Sequence, residues 1–196
     1  MHYDPVNWYW KIPGITDHVF SSAAADMVLS IDSTYVAWLA SGNIPSSIGV
    51  TAGLSTAEAF SELYDVLVAQ APGVAAAVGA AWQTAGYLSR SQEFAALVAA
   101  GVAITSTGTP TLSGTYAIDA ISQGRIQALA LYIQVHSAFP NAASTLLYPD
   151  ITGTPHTFST TASFLNFATA TGDFFTALVE ADLMSSAWPS NAKTIA

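Results

Sequence analysis

The alternation of apolar and polar positions near the start of the chain predicts short β-strands. In the segment NWYWKI, Trp8 and Trp10 lie two residues apart with Tyr9 between them, so a strand directs the two indoles to one face and the phenol to the other. The segments HVFSS and MVLSI supply two further short strands. Because a small module covers only one face of the first strand, we expect at least one of these three aromatic side chains to be free for a partner.

A helical pattern follows these strands. Asp32 is a suitable N-cap for the segment STYVAWLAS, and Gly42-Asn43 ends that helix. The strands and the helix together predict a small aromatic βββα-like module over residues 1–48. Residues 46–54 then indicate a linker or loop.

The middle of the chain, residues 49–101, predicts an alanine-rich helical segment. Ser55 and Glu58 have the spacing of a capping box, which opens a helix that Pro72-Gly73 ends. The segments VAAAVGAAWQTA and SQEFAALVAA supply two more helices. Their small side chains favour close packing.

Residues 102–185 predict a C-terminal domain of strands and helices. VAITST and TLSGTYAI read as strands, and Asp119 caps a helix over roughly residues 120–136. The apolar face expected for this helix consists of Ile121, Ala128, Leu129 and Tyr132.

A hairpin and a long helix complete that predicted domain. TLLYP and PHTFS form the two hairpin strands, joined by a turn that runs from Asp150 to Gly153. A long apolar-striped helix follows, and residues 186–196 are expected to be a tail. The predicted fold class is therefore α+β.

The charge content restricts the classes of partner. Charged residues make up only 9% of the 196 residues, the formal net charge is −9, and the chain has four cations and no cysteine. Nucleic acids and anionic membranes both require clustered lysine and arginine, so neither is an expected partner. So few charges among so many apolar residues predict a surface that partners cover, in a homo-oligomer or a complex.

A membrane span is not expected either. Residues 66–89 are uncharged and long enough to cross a bilayer, but alanine supplies most of their apolar content and Pro72 interrupts them. The start of the chain has no charged, apolar and cleavage regions in the order of a signal peptide.

No motif with a known catalytic mechanism occurs in the sequence. His2, His18, His136 and His156 do not have the spacing of metal ligands, and the chain has no nucleophile elbow, phosphate-binding loop or dinucleotide fingerprint. The sequence therefore predicts a protein that is not an enzyme and has no cofactor or metal. Trp8, Tyr9 and Trp10 are the candidate partner-binding residues, and sugar-binding platforms share this aromatic composition.

The segments TSTGTPTLSGTYAIDAISQGRIQAL and YPDITGTPHTFSTTASFLNFATATGDFFTAL resemble a domain of unknown function found in bacteriophage tail-fibre-associated proteins. The shared positions include Asp119, Arg125 with Ile126, and the hairpin residues Asp150, Gly153, His156 and Phe158. The earlier segment VFSSAAADMVLSIDSTYVAWLASGNIPSSI also looks like the N-terminal module of such phage proteins.

This resemblance implies a virion protein that is made in the host cytoplasm and has a tail-fibre or baseplate partner. Two alternatives remain: a tail-fibre assembly chaperone absent from the mature virion, and a carbohydrate-binding module for host attachment. Within this framework Asp119, Arg125, Asp150 and Gly153 are expected to be structural. We expect Arg125 to be buried or half-buried and to pair with Asp150 or with an acid of the last helix.

Overall fold

The computed structural model describes residues 3–49 and 53–196, and it confirms the predicted α+β class. His2 and the centre of the predicted linker, residues 50–52, lie outside the described residues. The chain forms two compact units, Met1–Glu93 and Phe94–Ala196. Each unit has its own sheet and its own aromatic core.

Unit 1 contains a small four-stranded sheet. Its strand order is β3-β2-β1-β4, in which β1 pairs antiparallel with β2 and parallel with β4. Its elements are β1 (Tyr9–Lys11), β2 (His18–Ser21), β3 (Asp26–Leu29), α1 (Ser33–Ala40) and β4 (Ser46–Ser47). As predicted, Asp32 caps α1, because its Oδ1 accepts from the backbone N–H groups of Thr34 and Tyr35.

Helices follow the sheet, and their ends agree with the local sequence signals. The elements are α2 (Thr56–Gln70), α3 (Pro72–Thr84) and α4 (Arg90–Ala100), and the division between the two units falls within α4. The capping box predicted from Ser55 and Glu58 is formed in both directions at the start of α2. Among residues 3–49 and 53–196, no helix has both the length and the hydropathy that a membrane span requires.

Unit 2 combines a three-stranded sheet, a hairpin and two long helices. The sheet has the order β6-β5-β9, and β7 pairs with β8 as an antiparallel hairpin. The elements are β5 (Val102–Ser106), β6 (Gly114–Tyr116), α5 (Ala120–His136), β7 (Leu146–Pro149), β8 (Pro155–Phe158), α6 (Thr161–Met184) and β9 (Ala192–Ile195).

The segment 186–196, which the sequence led us to expect as a tail, contributes β9 to this sheet. β9 runs parallel to β5, with Ala103 opposite Ala192 and Ser106 opposite Ile195. The central strand β5 has two edges of backbone hydrogen-bonding groups, and β6 can satisfy only one of them. The end of the chain supplies the other edge, and the side chain of Ile195 is buried.

An aromatic cluster forms the core of unit 2. Tyr116 of β6, Phe158 of β8, and Phe164 and Phe167 of α6 are fully buried. Their ring centroids lie 4.6 Å apart for Tyr116 and Phe167 and 5.2 Å apart for Phe158 and Phe164. Burial of such large rings is a main source of stability in a small domain.

The orientation of α5 differs from the expected one. The structure buries Ile126 and Ile133, whereas Ile121 is 66% exposed and Tyr132 is 37% exposed. Only Leu129 of the expected apolar face packs, half-buried, against the core. The expectation was wrong because α5 has apolar side chains on both sides, so its periodicity does not specify which side faces the core.

Candidate functional site

The β7–β8 hairpin contains the densest polar network among the sites that the sequence singled out. In its turn, Oδ1 of Asp150 accepts hydrogen bonds from the backbone N–H groups of Thr152 and Thr154, both at 2.9 Å, and from the Thr152 hydroxyl at 2.7 Å. Gly153 has a φ of +86°, a conformation that glycine adopts without steric cost. Asp150 and Gly153 therefore organise the turn between β7 and β8.

The other oxygen of the same carboxylate faces a histidine. Oδ2 of Asp150 lies 3.3 Å from Nε2 of His156, and Nδ1 of His156 lies 2.7 Å from the carbonyl oxygen of Thr111. The two side chains are only 12% and 10% exposed. We call these three residues, with Thr152, the hairpin clasp.

Both partners of the His156 ring are hydrogen-bond acceptors. A carbonyl oxygen only accepts, so Nδ1 of His156 donates to Thr111. Nε2 lies beside the Asp150 carboxylate, and a hydrogen bond forms there only when Nε2 also has a proton.

The turn holds Asp150 in its charged form. The hydrogen bond from the Thr152 hydroxyl is the largest cause that lowers the pKa of Asp150, to about 2. The backbone N–H of Thr154 and the His156 ring lower the pKa further, while partial desolvation opposes them. The carboxylate therefore stays ionised at neutral pH.

Tyr116 lies beside the clasp and is fully buried. Its hydroxyl donates to the carbonyl oxygen of Leu112 at 2.7 Å, and its ring centroid lies 5.3 Å from that of His156. Burial, and then the charge of Asp150, raises the pKa of this phenol. Gly114 packs closely against the imidazole, since a Cβ at that position would lie 3.1 Å from Nε2 of His156.

The clasp connects the hairpin to the short 3₁₀ turn before β6, because His156 belongs to β8 and Thr111 lies in that turn. Next to the clasp, the backbone N–H of Ile151 donates to the carbonyl oxygen of Thr115 at 2.8 Å, which also connects the hairpin to β6. Both ring nitrogens of His156 are engaged, so neither has a free position for proton transfer to a bound molecule. The arrangement is suited to holding the hairpin against the sheet.

The sequence analysis did not identify His156 as a buried polar residue. The available signal was its position two residues before Phe158, which places both side chains on the same face of β8. Phe158 is fully buried, so the histidine on that face must also be covered.

The structure agrees with the prediction for Asp119 and disagrees with the prediction for Arg125. Asp119 caps α5 as predicted, with its Oδ1 accepting from the backbone N–H groups of Ile121 at 2.9 Å and Ser122 at 3.0 Å. Arg125 is exposed, and the Asp150 carboxylate is occupied by its own turn and by His156. The expected burial of Arg125 and its pairing with Asp150 are therefore wrong.

The three N-terminal aromatic residues lie in the interior of unit 1. Trp8, Tyr9 and Trp10 are 4%, 6% and 3% exposed. The indole N–H of Trp8 donates to the Ser46 hydroxyl at 3.0 Å, and that of Trp10 donates to Ser22 at 2.9 Å. The expectation that one of these side chains is free on the surface is wrong.

Both faces of β1 are covered by aromatic side chains of unit 1. The Tyr9 ring lies 4.8 Å from that of Tyr35 and 5.0 Å from that of Trp38, both on α1. Tyr3 reaches back over the other face, 4.8 Å from Trp8 and 6.2 Å from Trp10. Tyr3 therefore helps to cover the face of β1 that the sequence analysis expected to be free for a partner.

Within the described residues, no group of three His, Cys, Asp or Glu side chains is arranged to hold a metal ion. Comparison of the chain with protein-family models, with curated proteins and with solved structures finds no match.

Proposed function

We propose that the protein is a non-enzymatic structural or adaptor component of a bacteriophage tail, associated with the tail fibre or baseplate. The observation that carries the proposal is the apolar outer face of α5, which is the side of a well-packed helix that ordinarily carries charged groups. The resemblance of the GTYAID and DITGTPH segments to a domain of tail-fibre-associated proteins supplies the biological setting.

The outer face of α5 is extensive for an exposed helix. Ile121, Leu131 and Val135 are 66%, 62% and 67% exposed, on a helix whose other side already packs into the core through Ile126 and Ile133. Large exposed apolar side chains on one side of a helix are typical of protein-binding sites. A structural protein that works inside an assembly accounts for it, because neighbouring subunits cover such a face.

Unit 1 has a comparable feature around α1. Val36 and Leu39 on α1, with Ile31 before it and Ile44 after it, are exposed large apolar residues. Charged residues make up only 9% of the chain, so few are available to interrupt such surfaces. An adaptor role requires surfaces for at least one partner, and exposed apolar residues occur in each unit.

The carbohydrate-binding alternative loses its main support. Sugar-binding platforms use exposed aromatic rings, whereas Trp8, Tyr9 and Trp10 are buried. The chaperone alternative uses the same apolar surfaces as a structural component, so only its presence in the particle distinguishes the two.

Mass spectrometry of purified virions tests the proposal. We expect peptides of this chain in a fixed ratio to those of the known tail proteins. Presence in infected-cell extracts in complex with the fibre, but absence from virions, would identify the assembly chaperone instead. Absence from virions and from every fibre or baseplate complex would overturn the proposal.

A further inference from the structure

A groove between α5 and α6 contains a polar group for which the fold provides no partner. The groove has a volume of about 170 Å³, and its walls come from both helices. At its floor lies Gln123, which is only 7% exposed. Its Nε2 is buried and has no hydrogen-bond acceptor among the residues that the structure describes.

An unpartnered buried amide is costly, so it requires an explanation. Leaving such a donor unsatisfied destabilises the fold, and nearly all buried polar groups in proteins have partners. Leucine at this position would remove that cost at nearly the same volume. A ligand in the groove cannot reach this nitrogen where it lies. A half-turn of the amide, which exchanges its nitrogen and oxygen at little steric cost, would turn the NH₂ group toward the groove, where a ligand supplies an acceptor.

Further polar groups follow the same face of α5. Gln127 and Gln134 also line the groove, four and eleven residues beyond Gln123, and both are exposed at its rim. These spacings place all three amides on one side of the helix. On the opposite wall, Thr169 of α6 adds a hydroxyl. The groove therefore offers both hydrogen-bond donors and acceptors along its length.

The walls between these polar groups are small and apolar. Ala130 and Ala168 have short side chains, and at Gly172 an added Cβ would meet nothing within 4 Å. This opening allows a ligand backbone to approach the helices closely. Ile126 and Leu165 supply apolar contacts beside it.

We infer that this groove binds an uncharged, extended peptide segment of a partner protein. None of the nine lining residues is charged, which favours a neutral ligand, and none is aromatic, which disfavours stacking on a sugar. Gln123 and Gln127 are about 6 Å apart along the helix axis, close to the roughly 6.8 Å repeat of backbone groups on one side of an extended peptide. Side-chain amides match peptide groups as donor and acceptor.

The inference deepens the proposed function, on which it rests for the kind of partner, a neighbouring tail protein. Its test is nevertheless independent of the virion. The probe is N-acetyl-trialanine amide, added to the full chain labelled with ¹⁵N, and the signals are the side-chain NH₂ resonances of Gln123 and Gln127. Maltotriose is titrated in parallel as a neutral sugar.

Three variants locate the site. Gln123→Leu removes the amide at similar volume, and Gly172→Leu fills the groove where an added side chain has open space. Gly124→Leu is the matched control, because Gly124 also has open space beyond it but is not among the groove residues. Circular dichroism of each variant checks that the fold is retained.

We expect saturable shifts with the peptide, a dissociation constant in the millimolar range or tighter, and at least tenfold weaker binding in Gln123→Leu and Gly172→Leu but not in Gly124→Leu. Binding of maltotriose in place of the peptide would overturn the assignment, as would the absence of any shift at tens of millimolar peptide. Unchanged binding by Gly172→Leu would show that the peptide binds elsewhere. Any of these results leaves the virion experiment, and therefore the proposed function, to be decided separately.

Discussion

His156 and Asp150 face each other at 3.3 Å across the β7–β8 hairpin, while the second ring nitrogen of His156 lies 2.7 Å from the Thr111 carbonyl oxygen. Both neighbours are acceptors, and they belong to different parts of unit 2, so the histidine ring connects the hairpin to the turn before β6. Side-chain contacts therefore hold the hairpin in addition to its backbone pairing.

The contribution of Asp150 to stability should be lost in acid. Its pKa is lowered from 3.8 to about 2 in the folded protein, so the unfolded chain takes up the proton first as the pH falls. The contribution is therefore complete above about pH 5 and declines as the pH falls through about 4 to 2. Urea unfolding between pH 2 and pH 6 should show wild type losing stability faster than Asp150→Asn.

Thr152→Val provides a graded version of this experiment. It removes the hydroxyl that is the largest cause of the lowered Asp150 pKa but leaves the carboxylate in place. The acid loss in Thr152→Val should be intermediate between wild type and Asp150→Asn. Equal acid sensitivity in all three proteins would contradict the assigned role of Asp150.

Removal of the His156 side chain should lower the free energy of unfolding by more than its position in a short strand suggests. His156→Ala removes the ring that contacts the Thr111 carbonyl oxygen and Oδ2 of Asp150, which should lower the free energy of unfolding by about 1–3 kcal/mol. His136→Ala is the control, since His136 is exposed near the end of α5 and should cost less than about 1 kcal/mol. Equal effects of the two substitutions in chemical denaturation would exclude the clasp.

Arg125 should tolerate substitution. Arg125 is exposed and not the paired, buried residue that the sequence predicts, so Arg125→Ala should change the free energy of unfolding by less than about 0.5 kcal/mol. Thermal unfolding of Arg125→Ala and of Asp119→Ala compares the stability loss at the two sites. Asp119→Ala removes the N-cap of α5 and should cost about 1 kcal/mol.

Local signals were sufficient for the features that depend on near neighbours in sequence. The caps at Asp32 and Asp119, the capping box at Ser55 and the Asp150–Gly153 turn involve backbone groups no more than four residues away. Their chemistry can therefore be inferred from the residue types alone.

Features that depend on distant residues could not be inferred in this way. The pairing of β9 with β5 joins positions almost ninety residues apart, and the contact of His156 with Thr111 spans forty-five. The α5–α6 groove could not be predicted either. The position of Gln123 relative to α6 depends on the rotation of α5, and that rotation follows from the burial of Ile126 and Ile133. Tertiary packing decides each of these.

The outer face of α5 should be needed for assembly and not for folding. Leu131→Glu with Val135→Glu places two charges on side chains that are already exposed, so circular dichroism and the melting temperature should change little. In phage carrying this variant, we expect at least a tenfold loss of the protein from purified virions, because charges at an interface core oppose burial. Thr176→Glu, an exposed polar site on α6, should leave incorporation unchanged.

The N-terminal aromatic residues should act as the core of unit 1. Trp10 is 3% exposed and donates its indole N–H to Ser22, so Trp10→Ala removes a large buried ring and leaves that hydroxyl unpaired. Such truncations cost about 3–5 kcal/mol, which is comparable to the total stability of a small unit. Hydrogen exchange should therefore show loss of protection in β1 and β2, while β5 and α6 of unit 2 remain protected. Trp10→Phe keeps most of the ring and should have a smaller effect. If Trp10→Ala instead left unit 1 protected and only abolished partner binding, the side chain would be a docking residue after all.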